Sequence, residues 1–331
     1  MPPMRLAVIG GGAWGTALGA HLAHVGHDVR LWARAAASVR EINESHRHER
    51  YLPGTDLPPS LVATDDLDAA LRDAATAFVA VPSEFCRGVH REAGRRLPAG
   101  VPIVSATKGL ELDTLLRMTE VAALEAPGRP LAVLSGPSFA LEVARRQPTA
   151  VVIASPDVAV AEQVQREVSA PWFRAYSSAD VVGVELAGAL KNVIAIAAGI
   201  VDGLGYGHNT AAALITRGLA EITRLAVALG GRADTLAGLA GLGDLVLTCT
   251  GGLSRNRRLG QALGAGRSVA EAVSLTRQVA EGVRTTLAAC QLAERAGVDL
   301  PIGREMRAVL YEGRPPGEAV DALMLRTLKR E

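Results

Sequence analysis

"RLAVIGGGAWGTALGAHLAHVGHDVRLWAR", residues 5–34, runs through strand, glycine turn, helix and second strand in about thirty residues. Gly10, Gly12 and Gly15 fit G-x-G-x-x-G. Gly10 permits a tight turn, Gly12 lets the backbone approach a pyrophosphate, and Gly15 lets helix pack close to strand. The following helix start then offers free N–H groups and a positive dipole end to phosphates. The second strand closes on Arg34, where a site selective for NAD would place an acid for the ribose hydroxyl. Arginine accommodates a 2′-phosphate, so NADPH use is expected, with NADH alongside. The plain alternative is that Arg34 stacks on adenine or points to solvent.

Outward from that unit, short apolar or β-branched runs alternate with helical stretches. Leu6–Ile9, Asp28–Trp32, Ala77–Ala80, Pro102–Ser105, Leu131–Leu134 and Val151–Ala154 read as strands of a parallel sheet, with a further strand around Trp172–Tyr176. From about Ser178 strand signals nearly vanish. Ala/Leu-rich helical spacing covers 180–201, 209–229, 268–274, 279–296 and 301–311. The expected fold is a Rossmann-like, doubly wound α/β domain over 1–179, followed by an all-α domain over 180–331.

Bulk properties narrow the function classes. The 331 residues, 49% hydrophobic and 21% charged, suit two globular domains with a sizeable core. A net charge of +1 gives no footprint for nucleic acid or an anionic membrane, so any anion site must be local. Cys86, Cys249 and Cys290 are too scattered for a zinc pattern or disulfide framework and suit a reducing cytosol. "MPPMRLAVIGGG" enters a strand at once, leaving no room for a signal peptide. The uncharged run Val193–Val201 is too short to span a bilayer. A cytoplasmic protein without stable membrane insertion is expected. His46 and His48 read as a polar loop, since no further ligand cluster accompanies them, and no metal site is expected.

Ligands of such sheets bind beyond the carboxyl ends of the strands. Three strands end in polar or glycine turns there: "AVPSEF" (80–85), "SATKGLE" (105–111) and "LSGPSFALE" (134–142). Lys108, Gly136 and Ser138 thus stand where an anionic group could be held. In the helical half, "ELAGALKNVIAIAAGI" (185–200) sets Lys191 and Asn192 in an apolar run. Lys191 must either snorkel to water or be kept for chemistry. Asp244, after a glycine-rich turn, reads as a helix N-cap or a partner in a site. "SRNRR" (254–258) reads as a solvated face or as a cationic knot for bidentate phosphate binding.

"GGGAWGTALG", "VPSEF", "SATKGLE", "SGPSFALE", "GVELAGALKNVIAIAAGIVDGLGYGHNTAAALITRGLAEITRL", "GLAGLGDLVLTCTGGLSRNRRLG" and "QVAEGVRT" closely resemble the NAD(P)-dependent sn-glycerol-3-phosphate dehydrogenases of bacterial type. The resemblance runs in order through most of the chain. It implies reversible hydride transfer between NADPH or NADH and dihydroxyacetone phosphate, giving sn-glycerol 3-phosphate for phospholipid synthesis. It places the catalytic acid–base group on Lys191. Implied substrate contacts are Lys108, Gly136, Ser138, Asp244, Ser254, Arg255 and Asn256; Asn192, beside Lys191, is expected to help fix the substrate site. Implied cofactor contacts are Gly10, Gly12, Trp14, Gly15, Arg34, Lys108, Ala140, Arg255, Val279 and Glu281, with Tyr51 and Phe85 as weaker candidates.

Those contacts come from both halves, so substrate is expected between them, and a homodimer is expected. The nearest rival is a two-domain dehydrogenase of a 3-hydroxy acid or its CoA ester, which has no evident need for the cationic knot. A non-catalytic nucleotide sensor is the rival from another class.

Overall fold

The computed structural model describes residues 2–275 and 281–327. The chain divides into two compact units: Met1–Lys108 with Leu116–Glu185, and Gly109–Leu115 with Leu186–Glu331.

The first unit holds strands β1 (Arg5–Ile9), β2 (Asp28–Trp32), β3 (Leu61–Thr64), β4 (Thr76–Val79), β5 (Ile103–Ser105), β6 (Leu131–Ser135), β7 (Thr149–Ala154) and β8 (Phe173–Ser178). Its helices are α1 (Ala13–Val25), α2 (Ala36–Ser45), α3 (Leu67–Leu71), α4 (Ser83–Arg96), α5 (Met118–Glu125), α6 (Ala140–Ala144) and α7 (Val158–Val168). The strands form one sheet in the order β3-β2-β1-β4-β5-β6-β7-β8. Successive side chains on a strand point to opposite faces. In β1, Leu6 and Val8 accordingly enter a core with Leu18, Leu22 and Phe173, whereas Ala7 and Ile9 enter another with Cys86, Val121 and Leu97. The sheet is thus covered on both faces, as doubly wound sheets are.

Two features depart from the sequence reading. β3 is an additional strand, paired parallel to β2. The sheet is also not wholly parallel: β7 runs antiparallel to β6, and β8 parallel to β7. A further difference concerns His48, which lies in the loop after α2 as expected but is buried rather than exposed to solvent. Its buried ring bridges Thr16 Oγ1 (3.2 Å) and Ser38 Oγ (3.1 Å), tying the first turns of α1 to α2.

The second unit is helical: α8 (Val181–Gly203, whose first turn belongs to the first unit), α9 (His208–Ala228), α10 (Ala233–Ala237), α11 (Asp244–Thr250), α12 (Arg255–Gly264), α13 (Val269–Leu275), α14 (Glu281–Ala296), α15 (Pro301–Tyr311) and α16 (Pro316–Met324). A π-helical turn, Leu239–Gly243, leads into α11. α8 is 23 residues long and contains an 18-residue window with a mean hydropathy of 1.7, enough by length and composition to cross a membrane, yet that window is wholly buried in protein. The uncharged run alone understated its length, because Glu185 and Lys191 are accommodated inside. Glycines let neighbours approach α8 closely. A Cβ on Gly218 of α9 would strike the side chain of Ile194, and one on Gly282 of α14 would strike the carbonyl oxygen of Asn192.

Candidate active site

In the first unit, Gly10 follows β1 with φ +129°, and its N–H donates to the Trp32 carbonyl oxygen at 3.0 Å. A Cβ there would lie 2.5 Å from the carbonyl oxygen of Ala80, just past β4, and one on Gly15 would overlap the Gly10 carbonyl oxygen. Gly11, which the G-x-G-x-x-G pattern passes over, is equally constrained, because its Cβ would overlap that of Ala33. Gly12 is different: its missing Cβ faces open space. It is the N-cap of α1, and no side chain caps the helix there. Among the described residues the first-turn N–H groups therefore lack a side-chain cap, and the Trp14 indole N–H beside them is buried without a partner. A closed turn, an open Cβ position and uncapped donors fit a dinucleotide pyrophosphate.

Arg34, exposed after β2, lies 5.8 Å from the centroid of the Phe85 ring. Two cofactor candidates from distant sequence positions, one just after β2 and one in the first turn of α4, thus meet. Tyr51 packs edge-on to His48 at 4.8 Å and carries Arg50 over its ring.

The strand-end turns also converge. Thr107 donates to the Val81 carbonyl oxygen at 2.7 Å, linking the exits of β5 and β4. Lys108 Nζ (2.8 Å) and Ser138 Oγ (3.0 Å) both donate to the Gly136 carbonyl oxygen. Gly136 has φ +135°, and a Cβ would meet the Cα of Val151 at 3.0 Å, so the turn depends on glycine. Lys108, Gly136 and Ser138 are therefore one group, with Ala140 opening α6 just beyond.

In the second unit Lys191 is buried on α8, and its Nζ donates to Asp244 Oδ1 and to Thr248 Oγ1 (2.8 Å). Asp244 is not an N-cap: it is the first helical residue of α11, nearly inaccessible, at the exit of the π-helical turn. Such turns re-aim a side chain within a helix, often at functional sites. Gly241 makes the turn possible, since a Cβ there would overlap the Leu236 backbone. Thr248, one helical turn beyond Asp244, donates its own hydroxyl to the Asp244 carbonyl oxygen at 2.6 Å. Its lone pairs therefore remain for Lys191. An ammonium buried in an apolar helix is tolerable only with such partners, so Lys191 does not snorkel. Cys249 beside this pair is no nucleophile: burial pushes its thiol up to about 12.

The "SRNRR" segment does not form one knot. It starts α12, where successive side chains diverge by about 100°. Ser254 is the N-cap, accepting the Arg257 N–H at 3.2 Å. Arg255 is exposed, whereas Arg257 pairs with Asp202 at 2.8 Å. Asn256 is buried: its Nδ2 donates to Asn192 Oδ1 (2.9 Å) and its Oδ1 accepts the Gly282 N–H (3.0 Å). Asn192, Asn256 and the start of α14 are thereby joined one residue away from Lys191, Arg255 and Glu281. Val279 lies outside the described residues. Thr248 and Gly11 are additions to the sequence-derived set. The i, i+4 spacing of Thr248 from Asp244 is the signal that could have found it.

A pyrophosphate turn at the switch point of a doubly wound sheet in one unit, and a buried lysine–carboxylate pair in the other, define an NAD(P)-dependent oxidoreductase. Residues 5–161 match the family model described as NAD-dependent glycerol-3-phosphate dehydrogenase N-terminus, and residues 180–321 its C-terminus. The chain belongs to the NAD(P)-dependent glycerol-3-phosphate dehydrogenase family. The glycerol-3-phosphate dehydrogenase (NAD(P)+) of Anaeromyxobacter sp. (strain K) is 54% identical over 331 residues, covering 99% of this chain and 100% of the relative. That of Geobacter sulfurreducens is 52% identical over 330 residues, covering 99% and 98%. A crystal structure of the Coxiella burnetii glycerol-3-phosphate dehydrogenase superposes with a TM-score of 0.94 at 42% identity, covering 98% of this chain and 99% of that one.

Proposed function

We propose that this chain interconverts dihydroxyacetone phosphate and sn-glycerol 3-phosphate with NADPH or NADH, Lys191 serving as the acid–base group. The observation that carries this reading is the buried Lys191 Nζ, held by Asp244 and Thr248. The nicotinamide, when bound, supplies or accepts the hydride at C2. In ketone reduction the Lys191 ammonium gives a proton to the C2 oxygen; in alcohol oxidation the neutral amine takes it back. Asp244 and Thr248 fix the position of Nζ and offset the cost of burying its charge. Arg255, with Ser254 and Asn256 at the start of α12, suits a phosphate dianion, because guanidinium groups bind such oxygens bidentately. Lys108, Gly136 and Ser138 supply further polar contacts to substrate, and Arg34 favours the 2′-phosphate of NADPH. A cytoplasmic homodimer completes the proposal. Three free, buried cysteines and the exposed Leu242, Val246 and Leu253 support it.

Oxidation of NADPH and NADH by purified protein with dihydroxyacetone phosphate, against a panel of 3-hydroxy acids, tests the reaction. Lys191→Ala is expected to lower kcat by about 10²–10⁴-fold, the usual effect of losing a general acid–base group, with cofactor affinity nearly unchanged. Near-wild-type turnover in that variant would exclude Lys191 from the chemistry.

A further inference from the structure

We infer that the crossing of α8 and α12 acts as a ruler that fixes the spacing between the proton carrier and the phosphate-holding helix start. This rests on the roles proposed above for Lys191 and Arg255.

Each helix carries a G-x-x-x-G pair at the crossing: Gly199 and Gly203 on α8, Gly260 and Gly264 on α12. A Cβ on any of the four would run into backbone of the other helix. Gly199 faces the Arg257 carbonyl oxygen, Gly203 that of Gln261, and Gly260 that of Ile196. Gly264 faces that of Ile200, at 2.5 Å. Backbone cannot rotate away as a side chain can, so the two helix axes have one allowed separation at this crossing.

Polar contacts fix the register independently of the glycines. Asn192 and Asn256 share an amide hydrogen bond at the end nearest Lys191 and Arg255. Further along, Asp202 on α8 accepts from Arg257 (2.8 Å) and from Gln261 on α12. The distance from Lys191 along α8 to the crossing, and back along α12 to Arg255, is then a fixed length built of helix. A substrate whose reacting carbon and phosphate must meet both ends is selected by that length. The glycines are positioning residues, since none of them is proposed to touch substrate.

A role in stability alone would change reduction of dihydroxyacetone and of dihydroxyacetone phosphate together, whereas a ruler matters only to the substrate that reaches both ends. Gly260→Ala should lower kcat/KM for dihydroxyacetone phosphate by at least tenfold. A misplacement on the order of 1 Å costs about 10²-fold. kcat/KM for dihydroxyacetone, and affinity for NADPH, should change less than twofold. Gly264→Ala, with less overlap, should show the same split more weakly. Asp202→Asn, which inserts no atoms and loosens the flank, should show it most weakly and decides the matter if neither alanine variant folds. Gly218→Ala packs against α8 from α9 and meets only a side chain. It should lower the melting temperature without changing the ratio of the two substrates.

A wild-type ratio of the two kcat/KM values in folded Gly260→Ala, Gly264→Ala and Asp202→Asn overturns the ruler. Failure of the wild-type protein to reduce dihydroxyacetone phosphate at all would instead overturn the proposed reaction.

Discussion

Replacing His90 by leucine should make the first unit markedly more resistant to acid. His90 is wholly buried on α4, and both ring nitrogens lack partners among the described residues. Burial pushes its pKa from 6.5 down to about 4; Glu125 opposes this weakly, its carboxylate being engaged by Arg87 and Arg91. A folded pKa below the unfolded one means that stability is intact above pH 6.5 and is lost as pH falls toward 4. The full gap of two and a half units corresponds to about 3.4 kcal/mol at 1.36 kcal/mol per unit. At pH 5 the unfolded histidine is already charged and the buried one mostly is not, so about 2 kcal/mol is lost there.

His21, with Nε2 bonded to the Val168 carbonyl oxygen at 2.7 Å and its pKa also pushed to about 4, adds a similar loss. Trp14, Trp32 and Trp172, the three tryptophans, all lie in the first unit, so their fluorescence during urea unfolding reports on that unit. With a urea slope of about 2 kcal/mol per molar, the wild-type midpoint should fall by about 2 M between pH 7.5 and 5. His90→Leu should fall by about half as much. An equal fall in the two proteins would refute the assignment of a buried neutral imidazole at this position.

Four further outcomes follow from the site. Arg34→Ala should reduce kcat/KM for NADPH at least tenfold and leave that for NADH nearly unchanged; a variant indifferent to both cofactors would remove Arg34 from the 2′-phosphate. Gly12→Ala should melt like the wild type, since its Cβ faces open space, yet lose NADPH binding in a fluorescence titration. Gly15→Ala, whose Cβ overlaps the turn itself, should lose both. Asp244→Ala should destabilise the second unit by about 3–5 kcal/mol in calorimetry, because it leaves the Lys191 ammonium buried without its carboxylate.

Local pattern carried the first-unit reading well, because strand, glycine turn and helix leave marks within a few residues. It failed where the deciding forces are not local. β3 is only "LVAT" behind two prolines, and nothing in four residues distinguishes it from a loop until β2 offers a ladder. The reversal of β7 was invisible because a strand's pattern does not encode its direction. In the second unit Lys191 stood out as a charge in an apolar helix, whereas Thr248 did not, since a threonine in "TCT" is ordinary at any helix position. Adjacent "SRNRR" looked like one cluster because sequence proximity hides helical divergence. Only the fold assigns Arg257 to Asp202 and buries Asn256 against Asn192.

The length and apolarity of α8 have a consequence during synthesis. When residues 181–203 leave the ribosome, α12, whose backbone covers Gly199 and Gly203, has not yet been made, and α14 comes later still. For some sixty further residues the nascent chain therefore displays a segment as apolar as a signal anchor. The interruption at Lys191 and Asn192 lowers its appeal to an insertion machinery, because a lysine at the centre of a span costs about 2.5–3.5 kcal/mol there. The residue proposed to move the proton in the finished enzyme thus also helps keep the unfinished one out of the bilayer.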